Sequence, residues 1–463
     1  MLAEYDVVVL GSGPGGYVAA IRAGQLGMKT AIVERDALGG ICLNWGCIPS
    51  KALLRNAEVL SLINHSEEYG ITVDGVKADF SRAIDRSRRV VDRLTRGVAT
   101  LLRRNGVEHV VGMGSLTNAT TIHVDGPEGT KALTTDNVIV ATGARQRHIP
   151  ALAIDGETVI TSREALALQR APTKAVIIGG GATGCEFAYM WRAYGTDVTI
   201  VELLPRLVPN GDEEISAQLE RSFRRQGIQI ATDAQVQGIA VNDGTAKVSI
   251  LTKGENTILD ADIVLVAVGV EGNTDKIGLE TVGVEVDRSF IPIDDMMKTN
   301  VKGIYAIGDV TGKMLLAHVA SAQGVTAVEH IAGLNPQPLD YAQIPSAIYC
   351  RPQVASFGMT EEQAQEEGYT VKIGKFPLAA SGKALALNEA EGMVKLVVDA
   401  EIGEVLGAHM IGAEVTELLG ELGMTRLLEA TTTELGWLVH PHPTISEALK
   451  EAALAAEGEA IHI

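Results

Sequence analysis

Two thiols and one imidazole stand in settings that suit proton-coupled sulfur chemistry. The first setting is Gly39-Gly-Ile-Cys42-Leu-Asn-Trp-Gly-Cys47-Ile-Pro-Ser-Lys51. On an unbroken helix, cysteines five residues apart are rotated by ~140° and separated by ~7.5 Å of rise. That exceeds the ~4.4–6.8 Å usual between bridged Cα atoms. Gly46 and Pro49 flank Cys47, so a bent or incipient helix is expected to relieve the mismatch. A strained or exposed bridge is the reducible kind, suited to exchange. Thiolates near a helix N-terminus also ionise more easily. The second setting is His440-Pro-His442-Pro-Thr-Ile-Ser-Glu447. Dithiol chemistry needs a group that removes a thiol proton and returns it, and histidine titrates near the working pH. A carboxylate can fix the ring tautomer and stabilise its cation. Taken alone, a histidine between prolines followed by an acid is more often a rigid turn and helix cap.

Such groups need a scaffold, and an internal repeat supplies one. Asp6–Leu10 is a short apolar run leading into Gly11-Ser-Gly13-Pro-Gly-Gly16, a helical stretch, Gly27, and a strand from Thr30 that ends at Glu34. Ala175–Ile178 leads likewise into Gly179-Gly-Gly181-Ala-Thr-Gly184, a helical stretch, Gly195, and a strand ending at Glu202. Each glycine and acid of the second set lies 168 residues beyond its counterpart. One G-x-G-x-x-G is weak, but two copies in strand–turn–helix–strand context are strong. The first glycine permits the tight turn, the second lets a pyrophosphate approach, and the third lets helix pack on strand. Free N–H groups and the helix dipole then face the phosphates. Glu34 and Glu202 end the second strands, where a carboxylate accepts ribose hydroxyls. Two dinucleotides are implied. Further apolar runs close in Ala141-Thr142-Gly143, in Ala267-Val-Gly269 and in Gly308-Asp309, at strand ends where ligands bind in parallel sheets. An acid such as Asp309 can also serve there as an N-cap.

Bulk properties narrow the class. At 463 residues the chain exceeds what one core supports, so two to four domains are expected. It is 46% hydrophobic and 21% charged, as soluble globular proteins are. A net charge of −19 argues against nucleic acid or an anionic membrane as a general partner. No apolar run approaches the ~18–20 residues of a spanning helix. No targeting segment is visible, so a cytoplasmic location is expected. Four cysteines in so long a chain are no disulfide framework. No metal-ligand set is read.

The segment Cys42-Leu-Asn-Trp-Gly-Cys47 with Pro49 and Lys51 resembles the redox signature of the class I pyridine-nucleotide disulfide oxidoreductases, and the resemblance runs from residue 1 to the C-terminus. It implies an α/β fold: two Rossmann-like dinucleotide-binding domains for FAD and NAD, a central segment, and a C-terminal α+β dimerisation domain. Cys42 is then the interchange thiol that meets substrate sulfur, and Cys47 the flavin-facing one. Lys51 lies near the flavin and pairs with Glu186. The stretch at His440 resembles the family's His-x-His-Pro-Thr-x-Ser-Glu motif, which makes His442 the acid/base, Glu447 its orienting partner and His440 structural. In the family this histidine serves the opposite subunit, so a homodimer is implied. Gly11, Gly13, Gly16, Glu34, Lys51, Gly114, Thr142, Gly143, Asp309, Leu315, Ala317 and His318 are expected at FAD. Gly179, Gly181, Gly184, Glu186, Glu202, Val236 and Gly269 are expected at NAD. Cys185 and Cys350 match no redox role and are read as packing residues.

Several residues choose among relatives. Glu202 accepts a ribose 2′-hydroxyl and repels a 2′-phosphate, favouring NAD over NADP. The C-terminus, Glu-Ala-Ile-His-Ile, has no second cysteine pair. Leu315-Leu-Ala317-His318, Ile344-Pro-Ser, Gly374-Lys-Phe-Pro and Leu406-Gly-Ala-His409 resemble the dihydrolipoyl-oxidising branch. Arg351-Pro-Gln353 and Val270-Glu271-Gly272 depart from its common pattern, away from the redox groups. The expected reaction is oxidation of protein-bound dihydrolipoamide to lipoamide through a Cys42–Cys47 disulfide and FAD, with hydride transfer to NAD⁺. Its expected partners are lipoyl domains and the acyltransferase core of a 2-oxoacid dehydrogenase complex. The alternatives are an NAD(P)H-dependent reductase of another disulfide or a metal ion, and a structural flavoprotein subunit. The domains are expected at 1–147 for FAD, 148–271 for NAD, 272–342 for the central segment completing the FAD site, and 343–463 for the dimer interface.

Overall fold

The computed structural model describes residues 3–463; Met1 and Leu2, with which the first expected domain begins, lie outside the described residues. The chain divides into two compact units, each assembled from three segments. Met1–Ala52, Arg82–His148 and Val268–Leu339 form one; Leu53–Ser81, Ile149–Ala267 and Asp340–Ile463 form the other.

In the first unit the elements are β1 (Tyr5–Leu10), α1 (Pro14–Gln25), β2 (Thr30–Glu34), α2 (Gly40–Trp45), the start of α3 (Cys47–Asn64), α4 (Phe80–Arg104), β3 (Glu108–Val111), β4 (Met113–Asn118), β5 (Thr121–Gly126) and β6 (Gly129–Val140). From Val7 to Leu10, β1 is an unbroken apolar run because both its faces are covered there. Val8 and Leu10 pack on one side with Val138 and Val140, and Val7 and Val9 on the other with Ile32 and Ile139. Each such buried side chain contributes about 1.5–3 kcal/mol. The parallel order is β3-β2-β1-β6, with Ile304–Ala306 on the far side of β6. β6 changes partner along its length: Gly129–Thr134 pairs antiparallel with β5, and Thr135–Val140 runs parallel to β1.

The second unit repeats the plan. Strands Gln229–Ala231, Asp197–Val201, Lys174–Ile178, Ile263–Val266 and Val159–Ile160 lie in that order, all parallel. Its three-stranded antiparallel sheet, Ala234–Asn242, Thr245–Thr252 and Glu255–Ala261, corresponds to β4, β5 and the first half of β6. Neither antiparallel sheet was anticipated from the sequence.

The C-terminal part of this unit is a five-stranded antiparallel sheet that includes Val371–Pro377, Met393–Asp399 and Val405–Gly412. Val394, Leu396 and Val398 face the helix Glu447–Ala456, which contributes Ala448, Leu449, Ala452 and Ala453. The alternate residue Lys395 is 3% exposed and pairs with Asp212 at 2.9 Å, Glu361 at 2.8 Å and Glu214 at 3.1 Å. Burial alone would lower its amine, and hydrogen bonds to Glu361 and Asp212 outweigh that and hold it above its ordinary value. The expected class, α/β with two dinucleotide-binding sheets and an α+β C-terminal part, is the observed one.

Candidate active site and dinucleotide-binding loops

The two glycine loops match atom for atom across the repeat. Gly11 and Gly179 both adopt positive φ, +100° and +113°. A Cβ at Gly16 would collide with the Gly11 carbonyl oxygen, and one at Gly184 with that of Gly179. The third glycines are therefore fixed by packing. At Gly13 and Gly181 a Cβ would meet nothing within 4 Å. Those two positions open onto free space at the N-termini of α1 and of the helix Ala182–Ala193, where N–H groups await an anion. The residues present fit one pyrophosphate per loop.

The acids are tied into the same loops. Glu34 Oε2 accepts the Ser12 amide at 2.9 Å and its hydroxyl at 2.7 Å, while Oε1 accepts the Asp36 amide at 2.9 Å. Glu202 Oε2 accepts the Gly180 amide at 2.6 Å, and Oε1 the Leu204 amide at 2.8 Å. Each carboxylate oxygen keeps acceptor capacity for a ribose. Sequence reasoning missed Ser12. Its signal was a buried hydroxyl between two loop glycines.

The redox segment is hooked to the first loop. Gly39 N–H donates to the Ser12 carbonyl at 3.0 Å and lies 3.2 Å from its hydroxyl oxygen. α2 ends at Trp45, Gly46 breaks it with φ −144° and ψ −115°, and Cys47 opens α3. The helix is thus bent at the glycine anticipated, and Cys47 sits at the positive end of the α3 dipole. Cys42 and Cys47 are half-buried thiols in this structure. The Cys47 side chain, hydrogen-bonded to it, pushes the Cys42 thiol up, burial adds to this, and the Lys51 ammonium opposes it. Asn44 amide N–H groups bind the carbonyls of Leu38 and Gly40, at 3.0 and 2.9 Å. Arg88 of α4 donates to the Asn44 carbonyl at 2.8 Å and lies over the Trp45 ring, 4.6 Å from its centroid. Arg88 and Asn44 were not read from the sequence.

Other anticipated FAD residues line the same unit. Asp309 lies in the single turn Gly308–Thr311 after the strand Ile304–Ala306, and burial raises its carboxyl. Thr142 exchanges hydrogen bonds with Asn273 at 2.8 and 2.9 Å. Gly143 has φ +71° with free space at its Cβ position. Gly114, on β4, packs against Leu10 and Val33. Leu315 is exposed just before the helix Ala317–Ile331, which carries His318.

In the second unit, Glu186 is buried and accepts the Tyr349 amide at 3.0 Å. Val236 sits at a register shift in the strand Ala234–Asn242, and Gly269, in the first unit, has φ +57°. Cys185 and Cys350 are buried, their thiols directed at the Gly180 and Pro352 carbonyls.

His442 Nδ1 lies 2.9 Å from Glu447 Oε1, and the Thr444 amide donates to Oε2 at 2.8 Å. Glu447 opens the helix Glu447–Ala456. Burial pushes its carboxyl up, but the Thr444 amide and His442 outweigh that and hold it below the usual range. The His442 ring is 78% exposed, and its Nε2 makes no hydrogen bond among the described residues. His440 is instead enclosed, 2.8 Å from Glu421.

Known proteins agree with this reading. Residues 5–324 match the family described as pyridine nucleotide-disulphide oxidoreductase, and residues 344–453 its dimerisation domain. The dihydrolipoyl dehydrogenase of Chlorobaculum tepidum is 47% identical over 98% of both chains, and that of Bacillus subtilis 44% identical over the whole of both. Among solved structures, LpdA of Mycobacterium tuberculosis superposes with a TM-score of 0.90 at 26% identity, covering 97% of this chain and 98% of that one. A Cu(II) complex of the flavoprotein disulfide reductase RclA from Escherichia coli gives 0.88 at 27% identity, over 98% and 99%. With its paired glycine loops, cysteines across a helix break and full-length likeness to named relatives, this chain belongs to the pyridine nucleotide-disulphide oxidoreductases, and among them to the dihydrolipoyl dehydrogenases.

Proposed function

We propose that Cys42 and Cys47 carry the dihydrolipoyl oxidation and that His442, oriented by Glu447, is its acid/base. A dihydrolipoyl thiol gives its proton to His442 Nε2, and the Glu447 carboxylate on Nδ1 stabilises the resulting cation. The substrate thiolate attacks Cys42 of the oxidised pair, forming a mixed disulfide and breaking the Cys42–Cys47 bond. Cys47 departs as a thiolate, favoured by the α3 N-terminus and by Lys51 one turn on. The second substrate sulfur closes the lipoyl ring, and Cys42 leaves. The Gly11–Gly16 loop would hold FAD, which would supply the two-electron acceptor for the reduced pair, and the Gly179–Gly184 loop would hold NAD⁺ as hydride acceptor. Glu202 and its ribose contact favour NAD⁺ over NADP⁺.

The domain limits at residues 147, 271 and 342 are retained as functional divisions. The substrate is the lipoyl domain of a 2-oxoacid dehydrogenase complex, docked at its acyltransferase core, in the cytoplasm. Each His442 serves the partner chain of a homodimer. Supporting this, Trp437 and Val439, just before the histidines, are 76% and 86% exposed, with Leu427 and Leu428 nearby in the dimerisation region. Apolar side chains so exposed are expected where a partner covers them.

The observation that carries the reading is the Cys42–Cys47 contact across the break before α3. NADH formation from dihydrolipoamide tests it. Cys42→Ser and Cys47→Ser are expected to abolish it, with NADP⁺ a poor substitute for NAD⁺ in the unaltered enzyme. Retained turnover in either variant would overturn the assignment.

A further inference from the structure

α4 carries eight arginines against two aspartates, a surplus of six positive charges in a chain whose net charge is −19. Arg82, Arg86, Arg89, Arg93, Arg96 and Arg103 succeed one another at steps of 4, 3, 4, 3 and 7 residues. At the helical pitch they share an arc of about 100° and extend for about 32 Å along the surface. All six are exposed, while Ala83, Ile84, Ser87, Val91, Val98 and Leu102 are buried on the opposite side. Among the described residues, Arg89, Arg93 and Arg103 have no carboxylate partner.

A helix face that merely needs solvation alternates its signs, because like charges three and four residues apart repel. This face is strongly unbalanced, six arginines against Asp85 at its edge and Asp92 just beyond, and it carries net repulsion until an opposite charge lies along it. The same helix is fastened to the redox segment: Arg88 binds the Asn44 carbonyl and covers Trp45, both between Cys42 and Cys47. The helix that carries the stripe is thereby anchored to the segment that carries the thiols.

We propose that the arginine face of α4 docks an acidic protein domain that carries the dihydrolipoyl group. The proposal rests on the dihydrolipoyl reading above. A protein surface is favoured over a nucleic acid or membrane because the stripe is one helix wide on an otherwise acidic chain, which repels an extended polyanion. It is favoured also because the cargo must be delivered to Cys42.

The test compares two substrates of the whole enzyme: free dihydrolipoamide, which is uncharged, and a purified lipoylated carrier domain. The double variant R93E/R96E is expected to lower kcat/KM for the carrier domain by roughly ten-fold or more, as loss of electrostatic steering does. Turnover of free dihydrolipoamide stays unchanged, and R93K/R96K restores the carrier rate. Raising ionic strength from about 0.01 M to about 1 M, which shortens the screening length from about 30 Å to about 3 Å, should slow the carrier reaction of the unaltered enzyme alone. Equal losses with both substrates, or no loss with the carrier, overturn the proposal. So does charge-dependent binding to duplex DNA or phosphatidylserine vesicles with the carrier rate untouched. Should the unaltered enzyme fail to turn over free dihydrolipoamide, the activity reading falls first and the docking proposal with it.

Discussion

Proton and sulfur chemistry are assigned to separate residues, and each is set by its immediate neighbours. Cys47 opens α3, whereas the Cys42 thiol is pushed up by Cys47 and by burial, with the Lys51 ammonium opposing. In the proposed assignment Cys47 is the thiol that leaves and Cys42 the one that meets substrate sulfur. The Glu447 carboxyl is held below its ordinary value by Thr444 and His442 despite burial. A carboxyl lowered on folding contributes stability that is complete above its unfolded value, about 4.3, and is lost as pH falls through the folded one. The His442–Glu447 contact accordingly persists at neutral pH and loosens only in acid. His442→Ala should lower dihydrolipoamide-linked turnover by about 10²- to 10⁴-fold, the usual weight of general acid–base catalysis. Glu447→Gln should lower it less, since an amide oxygen can still accept Nδ1–H but brings no charge. NADH-to-dye reduction, which handles no thiol proton, should survive both changes. Equal loss of the two activities would remove His442 from the role of thiol base.

At the scale of elements, the repeated strand–turn–helix unit was readable because its glycines answer to different constraints. Gly16 and Gly184 are forced by helix–strand packing, and Gly13 and Gly181 by what must lie outside. The two kinds separate on mutation. Gly16→Ala drives a methyl group into the Gly11 carbonyl and should destabilise the cofactor-stripped protein by about 1–3 kcal/mol or more. Gly13→Ala meets open space at an ordinary φ of −59°, so it should unfold normally yet retain less FAD on purification. Full flavin content in Gly13→Ala would detach that loop from the pyrophosphate. What escaped sequence reading is equally physical. The antiparallel sheets β4–β6 and Ala234–Ala261 face solvent on one side, so their strands alternate or stay polar and lack the apolar run that announced β1. The contacts from Ser12 to Glu34, and from Arg88 to Asn44, join residues 22 and 44 apart, and no local pattern foretells such pairings. Lys395 hides within an apolar strand because its three carboxylate partners come from distant segments. The cysteine pair was legible because Gly46 and Pro49 bend the chain within the motif itself.

At the scale of the molecule, the chain builds two similar sheets and then a C-terminal sheet followed by the helices Leu419–Leu427 and Thr432–Trp437, which carry exposed apolar residues. Met424, Leu427, Leu428, Trp437 and Val439 belong to the region matched to a dimerisation domain, and His442 follows them directly. An isologous dimer would bury this patch twice and give each chain two identical sites. If each site takes its cysteines from one chain and His442 from the other, neither Cys42→Ser nor His442→Ala makes an active homodimer. A hybrid of the two holds one dead site, lacking both groups, and one intact site, with the cysteines of the His442→Ala chain and the histidine of the Cys42→Ser chain. Co-refolding equal amounts should make half the dimers hybrid and recover about a quarter of the unaltered activity. If His442 instead worked within its own chain, each site of the hybrid would lack one group and the mixture would stay inactive. Recovery that grows with the hybrid fraction, separated by a tag on one variant, would place the acid/base across the interface, because no arrangement within a single chain can produce it.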